Sequence, residues 1–292
     1  MYALWISWRL LVERKRAFCI ITIGIVLSVA LLIIAQAQMQ NLEQFFVRTV
    51  LGSDGAIQLG DRLQDTIISH AHHQINIQST REGKLYVKGI EHPEAIKDAI
   101  QQFSGIRGLS EILEGPVRLS TNLDSQTAQL YGVDWRVHFP LSNIDEQFIY
   151  GSPESFQMNQ LGILIGDGLS RRLGLRVGDW MTIASAFEHK RYQIVGIYQT
   201  GIDSIDNQRV YSHLSEARWL MHQPYGGVYF QITLDHPQQA SILAKRLEDA
   251  LGHQALSWQE REQVWLDVFL MVRIGSIVLI SMVMFLAGMS IF

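Results

Sequence analysis

The sequence predicts an α+β protein in which two transmembrane helices flank a mixed α/β domain outside the cytoplasm and join it through helical stalks. Three observations carry this prediction. Residues 17–42 contain no charged side chain, and neither do residues 274–292. A helical run of about twenty apolar residues spans a bilayer, and one charge at mid-depth costs roughly 2.5–3.5 kcal/mol. Between the two runs, stretches that alternate like strands are interleaved with short helical patterns.

The flanking charges set the orientation. Arg9, Arg14, Lys15 and Arg16 precede the first span against the single acid Glu13, and Glu43 and Arg48 follow it. The positive-inside rule places the N-terminus in the cytoplasm and residues of about 43–262 on the extracytoplasmic side. Ala35-Gln36-Ala37 matches a signal-peptidase site, but the apolar run exceeds the roughly 7–15 residues of a signal peptide. We therefore read 17–42 as an uncleaved anchor, TM1. Within residues 1–16, Leu4, Trp5, Trp8, Leu11 and Val12 recur at helical spacing, as in a short interfacial helix with Trp5 and Trp8 at headgroup depth. Arg14, Lys15 and Arg16 mark one membrane edge, and Arg273 stands just before the second uncharged run.

Composition narrows the function. The formal charge is −4, and no Lys/Arg cluster occurs outside the N-terminus, which argues against nucleic acid. The only cysteine, Cys19, lies in the first apolar run, so the outer domain has no disulfide and stands on its hydrophobic core. No Pro-, Gly- or Ser-rich linker divides it, which predicts compact organisation.

In chain order, TM1 is predicted to continue as a stalk to about residue 51, with Gly52 as its stop. Residues 85–90 alternate as a strand, followed by Glu91-His92-Pro93 and a helical pattern over 94–103. The same order returns as strand 229–234, Asp235-His236-Pro237 and helix 238–251. Proline at a first helical turn loses no hydrogen bond. Short apolar segments follow each helix at 105–109 and 255–258. The expectation is a pair of β-α-β units, as a pseudo-repeat or as two instances of a common pattern. Between them, Gly115-Pro116 opens a strand 117–120, which turns at 122–125 and returns over 127–133. Residues 138–159 read as a long, irregular surface loop. At the far end, 258–273 is predicted as one unbroken helix feeding TM2, with stalk and span together covering 263–292.

The most specific segment is 161–175, LGILIGDGLSRRLGL. A buried strand reaches Gly166, and a short helix follows with Leu169 and Leu173 facing the core and Arg171 and Arg172 facing water. Gly174 suits a left-handed cap, and Gly178-Asp179 a tight turn into the strand from Trp180 to Ala184. A second strand, 192–198, contains Gly196; then come a loop 201–207, a strand at 209–211 and a helix near Ser215 as N-cap. This order resembles the extracytoplasmic domain of the MacB/LolC-LolE/FtsX superfamily of ABC transporter permeases. Residues 163–182 match "ILIG..LA..LG...GD..T", and residues 194–220 match "VVGI...G....D...VY..L..AQ.L". The first span departs from Lol-type members, with Leu27-Ser28 and Gln40-Asn41 where they carry Gly-Val and Asn-Gly.

The resemblance implies a partial permease subunit with a MacB-like periplasmic core domain. Its implied partners are a separate cytoplasmic ABC ATPase subunit, a second permease copy or paralogue as a dimer, and protein, lipoprotein or peptide cargo. The stalks would relay ATP-driven closure outward as mechanotransmission. It also implies four spans, so the chain reads as a first half, transport-incompetent by itself, with TM3 and TM4 lying beyond Phe292. The sequence contains no P-loop motif G-x-x-x-x-G-K-[ST], so the ATPase is expected on another chain and this one is not read as an enzyme.

Other chemistry has weaker footing. His70, His72 and His73 fall short of a tetrahedral zinc set and read as solvated; no metal or cofactor is expected. Asp145, Glu146, Asp203 and Asp206 read as loop acids without a paired carboxylate. Phe139, Phe148, Tyr150 and Phe156 read as a satellite apolar cluster, with a partner surface as the other reading. The rival function is a two-span sensor with an extracytoplasmic ligand-binding domain.

Overall fold

The structure is a computed structural model. It describes residues 15–62, 66–71, 74–79, 89–90, 92–121, 124–224, 226 and 228–289. Two compact units divide the chain: Met1–Val47 with Glu262–Phe292, and Arg48–Arg261.

The first unit is a pair of long helices, α1 (Lys15–Asp54), which runs on into the second unit, and α10 (Gln263–Met289). Both are long and apolar enough to cross a membrane. Several of their polar side chains find partners within the pair. Gln36 Nε2 donates to Ser276 Oγ at 2.7 Å, and Ser28 and Ser281 donate to the carbonyls of Gly24 and Ile277. Glu43 pairs with Arg273, and the Phe46 ring packs against Trp265 and Phe269, each at 5.6 Å. Ile23, Leu31, Ile277 and Phe285 face outward.

Helix α1 runs unbroken past residue 51, and two details of the stalk predictions need correction. Gly52 lies inside α1, which ends at Asp54, and Gly55 takes the left-handed conformation at φ 66°. Gly52 is required for space: a Cβ there would come within 2.7 Å of the Asn143 side chain. The second stalk is not one helix, because α9 (Trp258–Arg261) and α10 are separated by a turn at Glu262.

The second unit is built on a ten-stranded sheet. Its strands are β1 (Ile57–Arg62), β4 (Ile106–Ser120), β5 (Ser125–Val133), β6 (Phe148–Gly151), β7 (Gly162–Gly166), β8 (Trp180–Ala184), β9 (His189–Tyr198), β10 (Arg209–His213), β11 (Tyr229–Leu234) and β12 (His253–Ser257). They run in the order β12-β1-β11-β4-β5-β10-β7-β9-β6, with β8 bridging β4 and β9. A separate hairpin pairs β2 (Thr66–Ala71) with β3 (Gln74–Ser79).

On one side of the sheet, β11 and β12 both pair antiparallel with β1, and α8 (Ala240–Leu251) connects them. This is a split β-α-β unit with β1 inserted, and Ala240, Ala244 and Leu247 form the buried face of α8. The echoing unit has α2 (Pro93–Ile100) leading to β4, which pairs with β11. Ile90 bridges antiparallel to Val228, whereas 85–88 lie outside the described residues. His92 and His236 occupy the N-cap positions before their proline-initiated helices without a side-chain cap bond.

The other side corrects the sequence reading most. Residues 106–120 form one fifteen-residue strand rather than two segments. The supposed surface loop 138–159 holds α3 (Trp135–Leu141), a 3-10 turn (Ile144–Gln147), β6 and α4 (Pro153–Met158). Phe139, Ile144 and Phe156 are core residues beside Tyr131, Tyr198 and Tyr211; Phe148 packs against them and Tyr150 is exposed. Phe156 is sandwiched between Phe139 at 5.5 Å and His213 at 4.3 Å, and His213 Nε2 donates to the carbonyls of Phe156 and Asn159. The loop 201–207 contains a single helical turn, α6 (Asp203–Asp206). Helix α7 (Leu214–Leu220) is capped by His213 rather than Ser215, whose hydroxyl instead accepts from Gln160.

Candidate coupling junction

A buried polar constellation lies where the end of α1 meets the sheet. Asp54, the last residue of α1, places Oδ1 2.9 Å from Nη1 of Arg209, the first residue of β10. Strands β5 and β10 run parallel with Tyr131 opposite Tyr211, which sets their rings 5.8 Å apart beside this guanidinium. Arg209 lies over the Tyr131 ring at 4.2 Å, donates to the Tyr211 hydroxyl at 3.2 Å, and its carbonyl accepts from Tyr198 Oη at 2.9 Å.

A buried arginine is tolerated only when its charge and donors are matched. Burial works against the Arg209 charge, but the Asp54 carboxylate favours it, and the pKa is held well above the usual arginine value. Burial pushes the Tyr131, Tyr198 and Tyr211 hydroxyls up, so all three stay neutral.

Further contacts grip the same turn. Arg261 in α9 donates Nη1 to the Asp54 carbonyl at 3.0 Å and Nη2 to the Gly55 carbonyl at 3.1 Å, closing the carbonyl-rich end of α1 with a cation. Asn143, after α3, donates its N–H to the Gly52 carbonyl at 3.4 Å. Ala56 N–H donates to Ile232, and the Ala56 carbonyl accepts from Trp258, each at 2.9 Å. Residues 52–56 are thereby held by β10, β11, α9 and the segment after α3.

His138 lies in the same layer. It is fully buried on α3, with Nδ1 3.1 Å from Ser110 Oγ and Nε2 without a hydrogen-bond partner among the described residues. Burial, reinforced by the Arg209 charge and partly offset by Asp54, lowers its pKa to about 4. The imidazole is neutral near pH 7.

The motif residues chosen from sequence gather elsewhere, around α5 (Asp167–Leu173). Gly166 caps α5, and a Cβ there would strike the Asp206 backbone. Leu169 and Leu173 are buried, and Gly174 is the left-handed cap at φ 64°. Gly178 takes φ 96° and donates to the Ile194 carbonyl, while Asp179 Oδ2 accepts from Arg176 N–H at 2.7 Å. Gly196, opposite Leu164, leaves room for the Phe148 ring. These residues shape one strand-helix-turn knot and take no part in the junction. Asp206 is a buried acceptor for Thr200 N–H, Thr200 Oγ1 and Gly201 N–H. Asp145 stands in the 3-10 turn, where partial burial and the nearby Glu154 charge push its pKa up.

Lys15 and Arg16 open α1, and Arg273 pairs with Glu43; Trp5, Trp8 and Arg14 lie outside the described residues, as do His72 and His73. Among the described residues no group of three or more His, Cys, Asp or Glu is placed to hold a metal. Sequence reasoning missed Asp54, Arg209, His138 and Arg261 as a set. One available signal was the arginine opening the strand Arg209–His213, whose first four residues are all buried.

The fold and its junction define an α+β domain entered by one long apolar helix and followed by another. The chain belongs to the MacB-like periplasmic core domain family, whose sequence profile matches residues 18–250. This bears out the resemblance to the MacB/LolC-LolE/FtsX permease superfamily. Similar proteins include the lipoprotein-releasing system transmembrane protein LolE of Haemophilus influenzae, 23% identical over 231 residues, 76% of this chain and 50% of that protein. LolC of Neisseria meningitidis serogroup B is 25% identical over 125 residues, 39% of this chain and 28% of that protein. The chain thus spans half, or less, of the length of these relatives. Among solved structures, the periplasmic region of MacB from Actinobacillus actinomycetemcomitans gives a TM-score of 0.46 at 11% identity, covering 73% of this chain and 92% of that one. The extracellular domain of the noncanonic ABC-type transporter YknZ from Gram-positive bacteria gives 0.40 at 10% identity, covering 56% and 88%.

Proposed function

We propose that the chain is part of the permease subunit of an ABC transporter, driven by a separate cytoplasmic ATPase and acting by mechanotransmission on protein or lipoprotein cargo. The observation that carries this reading is a MacB-like periplasmic core domain set between two helices long enough to cross a membrane. The N-terminus lies in the cytoplasm, the domain covers about 43–262 on the periplasmic side of the inner membrane, and a second copy or paralogue completes the permease. A helix moved by nucleotide-driven closure transmits that motion only if its outer end is firmly gripped, and residues 52–56 supply the grip. Release of lipid-modified cargo is favoured because both curated relatives are named for lipoprotein release.

The test is reconstitution of the assembled transporter with its ATPase in liposomes carrying a fluorescent triacylated lipoprotein. ATP-dependent release of the probe is the expected result, and equal release with and without ATP ends the proposal. Labelling of a cysteine placed at Thr182 by a membrane-impermeant thiol reagent checks orientation separately; protection in intact spheroplasts would reverse it.

A further inference from the structure

We propose that the Asp54–Arg209 pair carries displacement of α1 into the far side of the sheet, making both residues positioning residues for transport. This rests on the transmission reading above and specifies which part of the domain the first membrane helix drives.

Topology shows why such a contact is needed. Helix α1 continues into β1, and the chain leaves the sheet through β12; these two strands are neighbours at one edge. A pull on either stalk is therefore delivered by the covalent chain to that edge alone. Strand β10 is reached from β1 through the sheet by crossing at least four ladders, the shortest route being β1–β11, β11–β4, β4–β5 and β5–β10. Adjacent strands twist and shear relative to one another, so displacement is shared out at each crossing. The direct route is a single contact of 2.9 Å from the foot of α1 to the start of β10.

The chemistry of that contact suits transmission. An apolar contact lets two surfaces slide, whereas a charge-assisted hydrogen bond fixes distance and direction. The guanidinium cannot follow Asp54 by changing rotamer, because Tyr131 lies against its face and Tyr211 accepts from it, while Tyr198 holds the Arg209 carbonyl. Strand β10 in turn pairs with β7, which carries α5, so what moves Arg209 moves that whole side. The rival view is that the pair only fills the core, in which case an uncharged pair of similar shape would serve as well.

The test uses the assembled transporter with its ATPase and the triacylated lipoprotein probe. The double variant D54N/R209Q removes both charges at once, so no unpaired ion is left buried and folding is retained. We expect ATP hydrolysis to persist while probe release is lost. The spin-label distance between positions 48 and 172, narrow and unchanged between nucleotide states in the wild type, becomes broad and nucleotide-dependent. Arg209→Lys, which keeps the charge opposite Asp54, restores part of the release. Wild-type release and an unchanged distance in the double variant would overturn this inference alone. Joint loss of hydrolysis and release would also overturn it, as a structural role. A wild type that shows no ATP-dependent release overturns the transmission reading and takes this inference with it.

Discussion

Asp54–Arg209 and Asp167–Arg171 are both aspartate–arginine pairs, 2.9 and 2.7 Å long. The first ties the foot of α1 to β10 with both side chains largely buried, and its guanidinium is committed to two tyrosine rings. The second is an i,i+4 pair on α5 whose arginine side chain is 69% exposed. Distance does not separate them; surroundings do. Water screens the α5 pair and competes for its donors, while at the junction nothing replaces a lost partner. Within one domain, the same two side chains thus act as an ordinary helix-surface contact and as a structural clasp.

The sharpest way to break the comparison is to remove one charge from each pair. Asp54→Asn leaves the Arg209 cation buried and uncompensated, a class of change that costs about 3–5 kcal/mol. Thermal unfolding of the purified chain in detergent measures it, and D54N/R209Q should recover most of the loss. Recovery would show that the cost of the single change is an orphaned charge rather than lost volume. Phe156→Ala tests whether the neighbouring aromatic core has comparable weight. Emptying the slot between Phe139 and His213 should cost about 3–5 kcal/mol. Met158→Ala on the same helix, at 88% exposed, should change stability by less than about 0.5 kcal/mol.

The two regions also differ in how far sequence could reveal them. The run from Gly166 to Ala184 was legible because local signals bound each of its elements: a left-handed glycine at Gly174, a turn at Gly178-Asp179, and arginines on the wet face of α5. The stretch 138–159 was not, because its elements are only four to seven residues long and its aromatics are ordered by distant partners such as His213. Strand β4 was split in the reading because proline usually ends strand pairing. Pro116 is accommodated where, among the described residues, β4 has no second neighbour, between its pairing to β11 through Ile112 and to β8 from Arg118. Its opposite residue, Gln129, turns its N–H away to the Gln208 carbonyl. The junction was least legible, since Asp54, Arg209 and Arg261 are far apart in sequence and none belongs to a local motif.

His138 sharpens the comparison through pH. Its folded pKa of about 4 lies below the unfolded value near 6.5. Between these values the unfolded chain binds a proton that the folded chain refuses. Stability should therefore be flat above about pH 6.5, fall by roughly 3 kcal/mol as pH drops to 4, and level off below. His138→Phe should remove this slope from the urea-unfolding free energy measured against pH. The groups facing the imidazole are Ser110, Tyr211, Arg209 and Asp54, so D54N/R209Q should change the midpoint of the slope while Asp167→Asn leaves it alone.

The smallest expected effect is the other arm of the opening comparison. Asp167→Asn breaks the α5 pair and weakens the acidic group in the first turn of that helix. Exposed i,i+4 pairs contribute about 0.3–0.5 kcal/mol, and a first-turn carboxylate adds a similar amount through the helix dipole. The variant should therefore lose well under about 1 kcal/mol, and the loss should shrink further in 1 M salt, where charges are screened within about 3 Å. The Asp54 variant should show less salt relief, because its arginine is 9% exposed where Arg171 is 69% exposed, although the two aspartates are alike at 16% and 13%. An equally salt-sensitive loss at Asp54 would mean that the foot of α1 is open to solvent, and the contrast between the two pairs would disappear.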